Sequence, residues 1–197
     1  MIQDEIVLRM SNDFPHAFTE DQCRAAEALA RFVTAGGEER AFILRGYAGT
    51  GKTSLVGTLV RVMRDMGRET VLLAPTGRAA KVFSNHSGAR AATIHRTIYR
   101  QQTINGEGTR FSLGFNKHRH ALFIVDEASM IADSSADSLF GTGHLLDDLI
   151  RYVYEGEGCR LLLVGDVAQL PPVGREESPA LQADALYGYG IGVDGAT

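Results

Sequence analysis

The stretch RGYAGTGKTS, residues 45–54, constrains this chain more than any other. It follows directly on the apolar run AFIL and runs into TSLVGTLVRVMRDMG, whose apolar residues recur at helical spacing until Gly67 closes the segment. A buried strand that turns into a helix through Gly46, Gly49 and Gly51 gives up side chains where a core could have grown. Without a Cβ, successive backbone N–H groups can converge on a small anion. The helix N-terminus behind them adds unpaired N–H groups and a favourable dipole. Gly46 to Thr53 fits G-x-x-x-x-G-K-S/T, the phosphate-cradling pattern. In it Gly46, Ala48, Gly49, Thr50, Gly51 and Ser54 line the loop, Lys52 reaches the β- and γ-phosphates, and Thr53 offers its hydroxyl to Mg²⁺. ATP with Mg²⁺ is therefore the expected ligand; the alternative for such a loop is a glycine-rich turn.

Around this loop the chain alternates short apolar runs with helical patterns. RAFILRG, TVLLAP, ALFIVDEA and CRLLLVGD read as strands, and they are continuously apolar instead of alternating. That is the pattern of strands buried on both faces, so the predicted class is α/β: a parallel sheet with helices on each side. Chemistry in such sheets lies at the carboxyl ends of the strands. Those ends are GYAGTGKT, APTGR, DEAS and GDVAQ. TEDQCRAAEALARFV predicts a helix with apolar Ala25, Ala28, Leu29, Phe32 and Val33, capped by Thr19 with Gln22 three residues on, a capping box. GRAAKVFSNHSG and the shorter TIHRTIYR also read as helices, and SADSLFGTGHLLDDLIRYVYEG as mostly helix. Residues 101–118 break the alternation: Asn105-Gly106 marks a turn, predicting a small inserted β-hairpin. Residues 1–17 show no strong period and are expected to form a loosely held arm, with one domain over 18–197.

Two further segments complete a catalytic set. LFIVDEAS places Asp126 at a strand end, suited to hold Mg²⁺, with Glu127 next to it to orient and deprotonate a water. Adjacent carboxylates repel unless a cation sits between them; capping of the next helix is the other reading of the pair. In LLLVGDVAQLPPVG, Gln169 follows a strand end and could hydrogen-bond the γ-phosphate or the attacking water.

The net charge of −4 hides an asymmetry. Residues 78–120 carry eight basic side chains (Arg78, Lys81, Arg90, Arg96, Arg100, Arg110, Lys117, Arg119) against Glu107 alone, a net of +7. A local polyanion site is one reading and scattered surface charge the other. With 44% hydrophobic residues the chain can bury a sizeable core. No apolar run approaches the ~20 residues that span a bilayer. The first residues carry acids where a signal peptide carries basic side chains. Cys23 and Cys159 lack metal spacing and read as reduced, buried thiols, so a cytoplasmic protein is expected.

In order along the chain, FTEDQ, GYAGTGKTS, LLAPTGRAAKVFS, ATIHRTIY, FIVDEASMI and LLLVGDVAQLPPVG resemble the motifs of the N-terminal motor domain of a superfamily 1 DNA helicase of the RecD/Dda-like branch. The resemblance spans residues 18–174. It implies a RecA-like P-loop NTPase fold and an ATP-dependent helicase acting on single-stranded DNA, 5′ to 3′, as a monomer, in DNA repair or recombination. It implies that Gln22 reads the adenine edge and Phe18 packs near the base, beside the capping role above. It implies that Pro75, Thr76, Arg78 and Lys81 grip a single-strand backbone and that Thr93 and His95 contact it, with a packing role for His95 the alternative. The hairpin resembles the subdomain that touches or splits the duplex.

The family pairs two RecA-like domains, the second supplying arginines to the γ-phosphate. Those motifs are not in these 197 residues. A piece of a longer protein is expected, nearly inactive on its own, with a disordered GYGIGVDGAT tail. A GTPase would need N-K-x-D, and the nearest string, NKHR at Asn116–Arg119, lacks the aspartate. A P-loop kinase, or a non-catalytic module binding ATP and nucleic acid, are the remaining alternatives.

Overall fold

A computed structural model describes residues 1–36, 40–104, 108–131, 140–166, 168 and 178–197. The chain forms α1 (Ile2–Asp13), α2 (Glu20–Thr34), β1 (Arg40–Gly46), α3 (Lys52–Asp65), β2 (Thr70–Ala74), α4 (Gly77–Ser87), β3 (Ala91–Thr93) and α5 (Ile94–Ile98). It continues with β4 (Tyr99–Ile104), β5 (Gly108–Leu113), β6 (Leu122–Val125), α6 (Leu145–Glu155), β7 (Arg160–Asp166), α7 (Ala183–Tyr187) and β8 (Gly192–Ala196).

Six strands form one sheet in the order β3-β2-β6-β7-β1-β8, every neighbouring pair parallel. The continuously apolar strands feed two cores at once. Ala41, Ile43, Leu73, Phe123, Val125, Leu161 and Leu163 face one side, packing with α5 and α6. Phe42, Leu44, Leu72, Ile124, Leu162 and Val164 alternate with them and face the other side, against α1, α2 and α3. The period of 2 along each strand divides one apolar run between two layers. This is the expected RecA-like P-loop α/β sheet. No helix among the described residues is long and apolar enough to cross a membrane.

The inserted hairpin is present as β4 and β5, antiparallel, pairing Tyr99 with Leu113 through Ile104 with Gly108. It starts and ends earlier than 101–118; its turn, residues 105–107, lies outside the described residues. Residues 114–120 instead form a connection in which buried Asn116 donates from Nδ2 to the carbonyls of Tyr152 (2.9 Å) and Val153 (3.2 Å), capping the end of α6.

Four other expectations need correction. Residues 1–17 are no loose arm: α1 buries Ile6 and Met10, one turn apart, against α2 and α3. Its apolar face is too narrow to stand out in sequence and becomes useful only where another helix covers it. The tail is ordered: Ile191 is buried and β8 pairs with β1 along Arg40–Leu44. Helix α6 starts only at Leu145, after a turn at Gly141 and Gly143, both with positive φ; residues 132–139 are outside the described set. Cys23 is exposed, while Cys159 is buried as expected and its thiol is pushed up by burial. The three-residue β3 carries no sequence signal of its own; β2 recruits it.

Candidate functional site

At the carboxyl end of β1 the glycine loop curls over its own lysine. Gly49 and Gly51 hold φ of 79° and 84°, the left-handed region that favours glycine. Gly51 is the N-cap of α3 and accepts from the Leu55 N–H at 2.8 Å. A Cβ on Gly51 would also lie 3.0 Å from Gln22 Nε2. Lys52 Nζ donates to the carbonyls of Gly46 (2.8 Å) and Tyr47 (2.6 Å), and Thr50 Oγ1 donates to Tyr47 at 2.9 Å. The lysine's charge is thus parked on backbone oxygens inside the cradle. Burial holds its pKa below the ordinary lysine value, against the opposing pull of Asp166, Glu127 and Asp126.

Beside the loop lies a cleft of about 340 Å³, lined by residues from the ends of three adjacent strands: Ala48, Gly49 and Gly51 to Ser54 after β1, Asp126 and Glu127 after β6, Gly165 and Asp166 on β7. Thr53 Oγ1 donates to Asp126 Oδ2 at 3.1 Å, and the Glu127 N–H donates to Asp126 Oδ1 at 3.0 Å. Asp126 is 6% exposed. Burial pushes its carboxyl above the usual range, partly offset by the Glu127 N–H and the Thr53 hydroxyl. Glu127 sits at φ 55°, ψ 36°. A left-handed glutamate costs about 1–2 kcal/mol, and strain of this kind concentrates at functional sites.

The donor set suits Mg²⁺. A hydroxyl and a buried carboxylate in contact are hard oxygen ligands, and Mg²⁺ asks a protein for only one or two of these beside phosphate oxygens and water. Among the described residues no cluster of three or more His, Cys, Asp and Glu forms a self-sufficient metal site.

Asp166 is the residue that sequence reading passed over. It is 6% exposed, accepts from the Ala168 N–H at 2.8 Å, and leads the three carboxylates that act on Lys52. Its signal in the sequence is its place in GDVAQ, at the same strand end as Gln169. Gln169 itself lies outside the described residues.

Gln22 does two jobs. Its Oε1 accepts from the Thr19 N–H (3.1 Å), completing the capping box, while Nε2 donates to the Thr50 carbonyl (3.1 Å) and ties α2 to the glycine loop. Phe18 is half-buried and packs on Phe14, ring centroids 5.0 Å apart. Gln22 therefore touches the glycine loop directly, while Phe18 lies at the entry to α2, one residue before its Thr19 cap.

The residues expected to grip a strand emerge at the same sheet edge. Thr76 Oγ1 accepts from Ala79 N–H and Thr93 Oγ1 from Arg96 N–H, each at 3.2 Å, so both cap helix N-termini. The strands feeding them are paired in register, Ala74 with Thr93. Pro75 is half-buried, and Arg78 and Lys81 are exposed along α4. His95 is different: it packs on Tyr99 (5.6 Å) and edge-on to Phe140 (5.2 Å), and burial lowers its pKa below 6.5, leaving it neutral at pH 7.

The basic block is divided by the fold. Arg90, Lys117 and Arg119 precede β3 and β6 and lie at the amino edge of the sheet, opposite the glycine loop. Arg119 pairs with Glu157 there (3.7 Å). Arg100 folds onto the carbonyls of Thr97 and Tyr99 (both 2.9 Å), ending α5. Asn116 also lies at the amino edge, far from any nucleotide in the cradle, which removes the GTPase alternative.

The family model described as an AAA domain matches residues 17–185. An uncharacterised protein, MJ1519 of Methanocaldococcus jannaschii, is 31% identical over 189 residues, covering 88% of this chain and 15% of its own length. The ATP-dependent RecD2 DNA helicase of Deinococcus radiodurans is 35% identical over 161 residues, covering 79% of this chain and 18% of its own length. The chain thus spans less than a fifth of the length of each of these two relatives. Among solved structures, the Pif1 helicase of Candida albicans shares the fold with a TM-score of 0.53 at 19% identity, over 92% of this chain and 40% of that one.

Proposed function

Because the chain belongs to the AAA domain family and is a superfamily 1 helicase motor domain of the RecD/Pif1-like kind, we propose that it binds Mg-ATP in the 340 Å³ cleft and couples hydrolysis to movement along single-stranded DNA. The observation that carries this reading is the Thr53–Asp126 contact of 3.1 Å, which brings the two motif-bearing segments together beside the cradle.

Each residue has a part. The backbone N–H groups from Gly49 to Thr53 hold phosphate oxygens. Lys52 leaves the carbonyls of Gly46 and Tyr47 for the β- and γ-phosphates. Thr53 and Asp126 hold Mg²⁺, which when bound neutralises phosphate charge and lowers the barrier to transfer. Glu127 accepts the proton of the attacking water. Gln169 senses the γ-phosphate, and Asp166 restrains Lys52 until phosphate arrives. Phe18 and Gln22 receive the adenine; Gln22 then exchanges its bond to Thr50 for bonds to the base.

Single-stranded DNA crosses the edge formed by Pro75, Thr76, Arg78, Lys81 and Thr93, with His95 holding this segment through its aromatic contacts. The hairpin β4–β5 meets the duplex. Resemblance to the RecD/Dda-like branch supports 5′ to 3′ travel and a monomer.

Titration with a fluorescent ATP analogue and Mg²⁺ tests the reading. Lys52→Met should weaken binding at least about tenfold. Glu127→Gln should bind as wild type while losing at least about 10²-fold of whatever hydrolysis wild type shows. Unaltered affinity in Lys52→Met would overturn the assignment.

A further inference from the structure

At the root of the hairpin lies a buried carboxylate that the nucleotide site does not use. Asp148, on α6, is 1% exposed. Its Oδ2 accepts from the Tyr99 hydroxyl (2.7 Å) and the Thr142 N–H (3.0 Å), and its Oδ1 accepts from Thr142 Oγ1 (3.0 Å). Burying a carboxylate among neutral donors is costly, and apolar packing there would cost less. What the arrangement provides is direction: three donors from two segments fix one geometry. Tyr99 is the first residue of β4, and Thr142 belongs to the turn before α6.

The same turn grips the other strand. Phe140 bridges to Phe111 of β5, their rings stack with centroids 4.5 Å apart, and the Gly141 N–H donates to the Phe111 carbonyl at 2.8 Å. Gly141 has φ 47°, and a Cβ there would sit 2.1 Å from Asp148 Oδ2, so only glycine lets the turn close over the carboxylate. His95 packs on both Tyr99 and Phe140, bringing the segment from Thr93 into the same cluster.

We propose that Asp148 and Tyr99 are positioning residues: with the Phe140–Thr142 turn they form a rigid joint that sets the angle of hairpin β4–β5 on the sheet, and thereby its meeting with a forked DNA duplex. The joint rests on geometry alone; its consequence for DNA rests on the function proposed above. Without the joint the hairpin keeps its own ladder but swings about the Ile98–Gly114 connection, and a swinging hairpin cannot prefer a fork over a plain strand.

Two variants test this. Tyr99→Phe removes one donor and keeps the ring; Asp148→Asn keeps the shape and replaces an acceptor oxygen by a donor. Amide hydrogen exchange of β4 and β5 is followed beside that of β1, β6 and β7, and affinity for a fork is compared with affinity for a single strand of the same sequence. The hairpin amides should exchange about tenfold faster with the sheet amides unchanged. The fork-to-strand affinity ratio should fall several-fold with nucleotide affinity intact. Hairpin and sheet amides loosening together, or a fork preference that survives faster hairpin exchange, would overturn the proposal. If wild type binds neither DNA, the proposed function fails, and hydrogen exchange alone then decides whether the joint exists.

Discussion

Single side chains at this site carry more than one duty, and their electrostatics say when each applies. Lys52 is held below the ordinary lysine pKa by burial, so its charge costs folding stability at neutral pH, a cost relieved only as pH rises through its lowered value. Function, then, explains its presence in the cradle better than stability does. His95 has a slope of the same sign, set at lower pH. Its folded pKa lies below 6.5 because burial disfavours the imidazolium, so its contribution is complete above 6.5 and is lost as pH falls through the folded value. Melting temperatures of wild type and His95→Phe between pH 7 and pH 5 should therefore converge or cross, the variant losing less; parallel curves would refute this. Gln22 shows how far a residue can be read from sequence alone. The capping box was legible from Thr19 and Gln22. The bond to Thr50 was not, because 28 residues separate the partners. Asp166 is illegible in sequence for a related reason: a single aspartate at a strand end acquires meaning only with Lys52 and Asp126 beside it in the same cleft.

Elements were legible in proportion to how much of their stabilisation is local. Helix α2 has its cap, its apolar stripe and its stop in the sequence. Helix α1 has none of these strongly, and its two buried residues, Ile6 and Met10, depend on α2 and α3 for partners. Met10→Ala should cost ~2–4 kcal/mol, read as a shift in the denaturation midpoint at unchanged slope; an effect under ~0.5 kcal/mol would mean the helix is peripheral, as for most surface sites. Its far end is also tied down, by Arg61 to Asp13 at 2.5 Å, the same arginine that reaches Thr58 Oγ1 (2.9 Å) and the His86 carbonyl (3.0 Å). Thr76 belongs to this scale as well. Thr76→Ala removes the cap of α4 and should cost ~1 kcal/mol while weakening single-strand binding, whereas Thr76→Ser should restore both. Loss of the cap without loss of binding would confine Thr76 to a structural part.

For the molecule as a whole, nucleotide and fold are linked by mass action. A Mg-nucleotide at a hundred times its Kd should add ~2.7 kcal/mol, raising the melting temperature by roughly 5–10 °C for a chain of this size. Lys52→Met should cut the rise to about half or less at the same nucleotide concentration. The gain should also shrink toward acid, because protons compete with Mg²⁺ for Asp126, whose carboxyl already binds them above the usual carboxylate range. A shift that persists unchanged at low pH would place the metal elsewhere. The sheet itself was written in the chain: strands apolar at every position can only be buried on both faces, and the glycine loop, the acid pair and the capped helices must then meet at one edge, since parallel strands put all their carboxyl ends together. What required the folded molecule was everything decided by partners distant in sequence. The order β3-β2-β6-β7-β1-β8, the tail's pairing with β1, the division of the basic block between opposite edges and the clamp on the hairpin all depend on which surfaces are left for a weakly patterned segment to cover. Burial and pairing settle such segments, and neither is a property of a local stretch of residues.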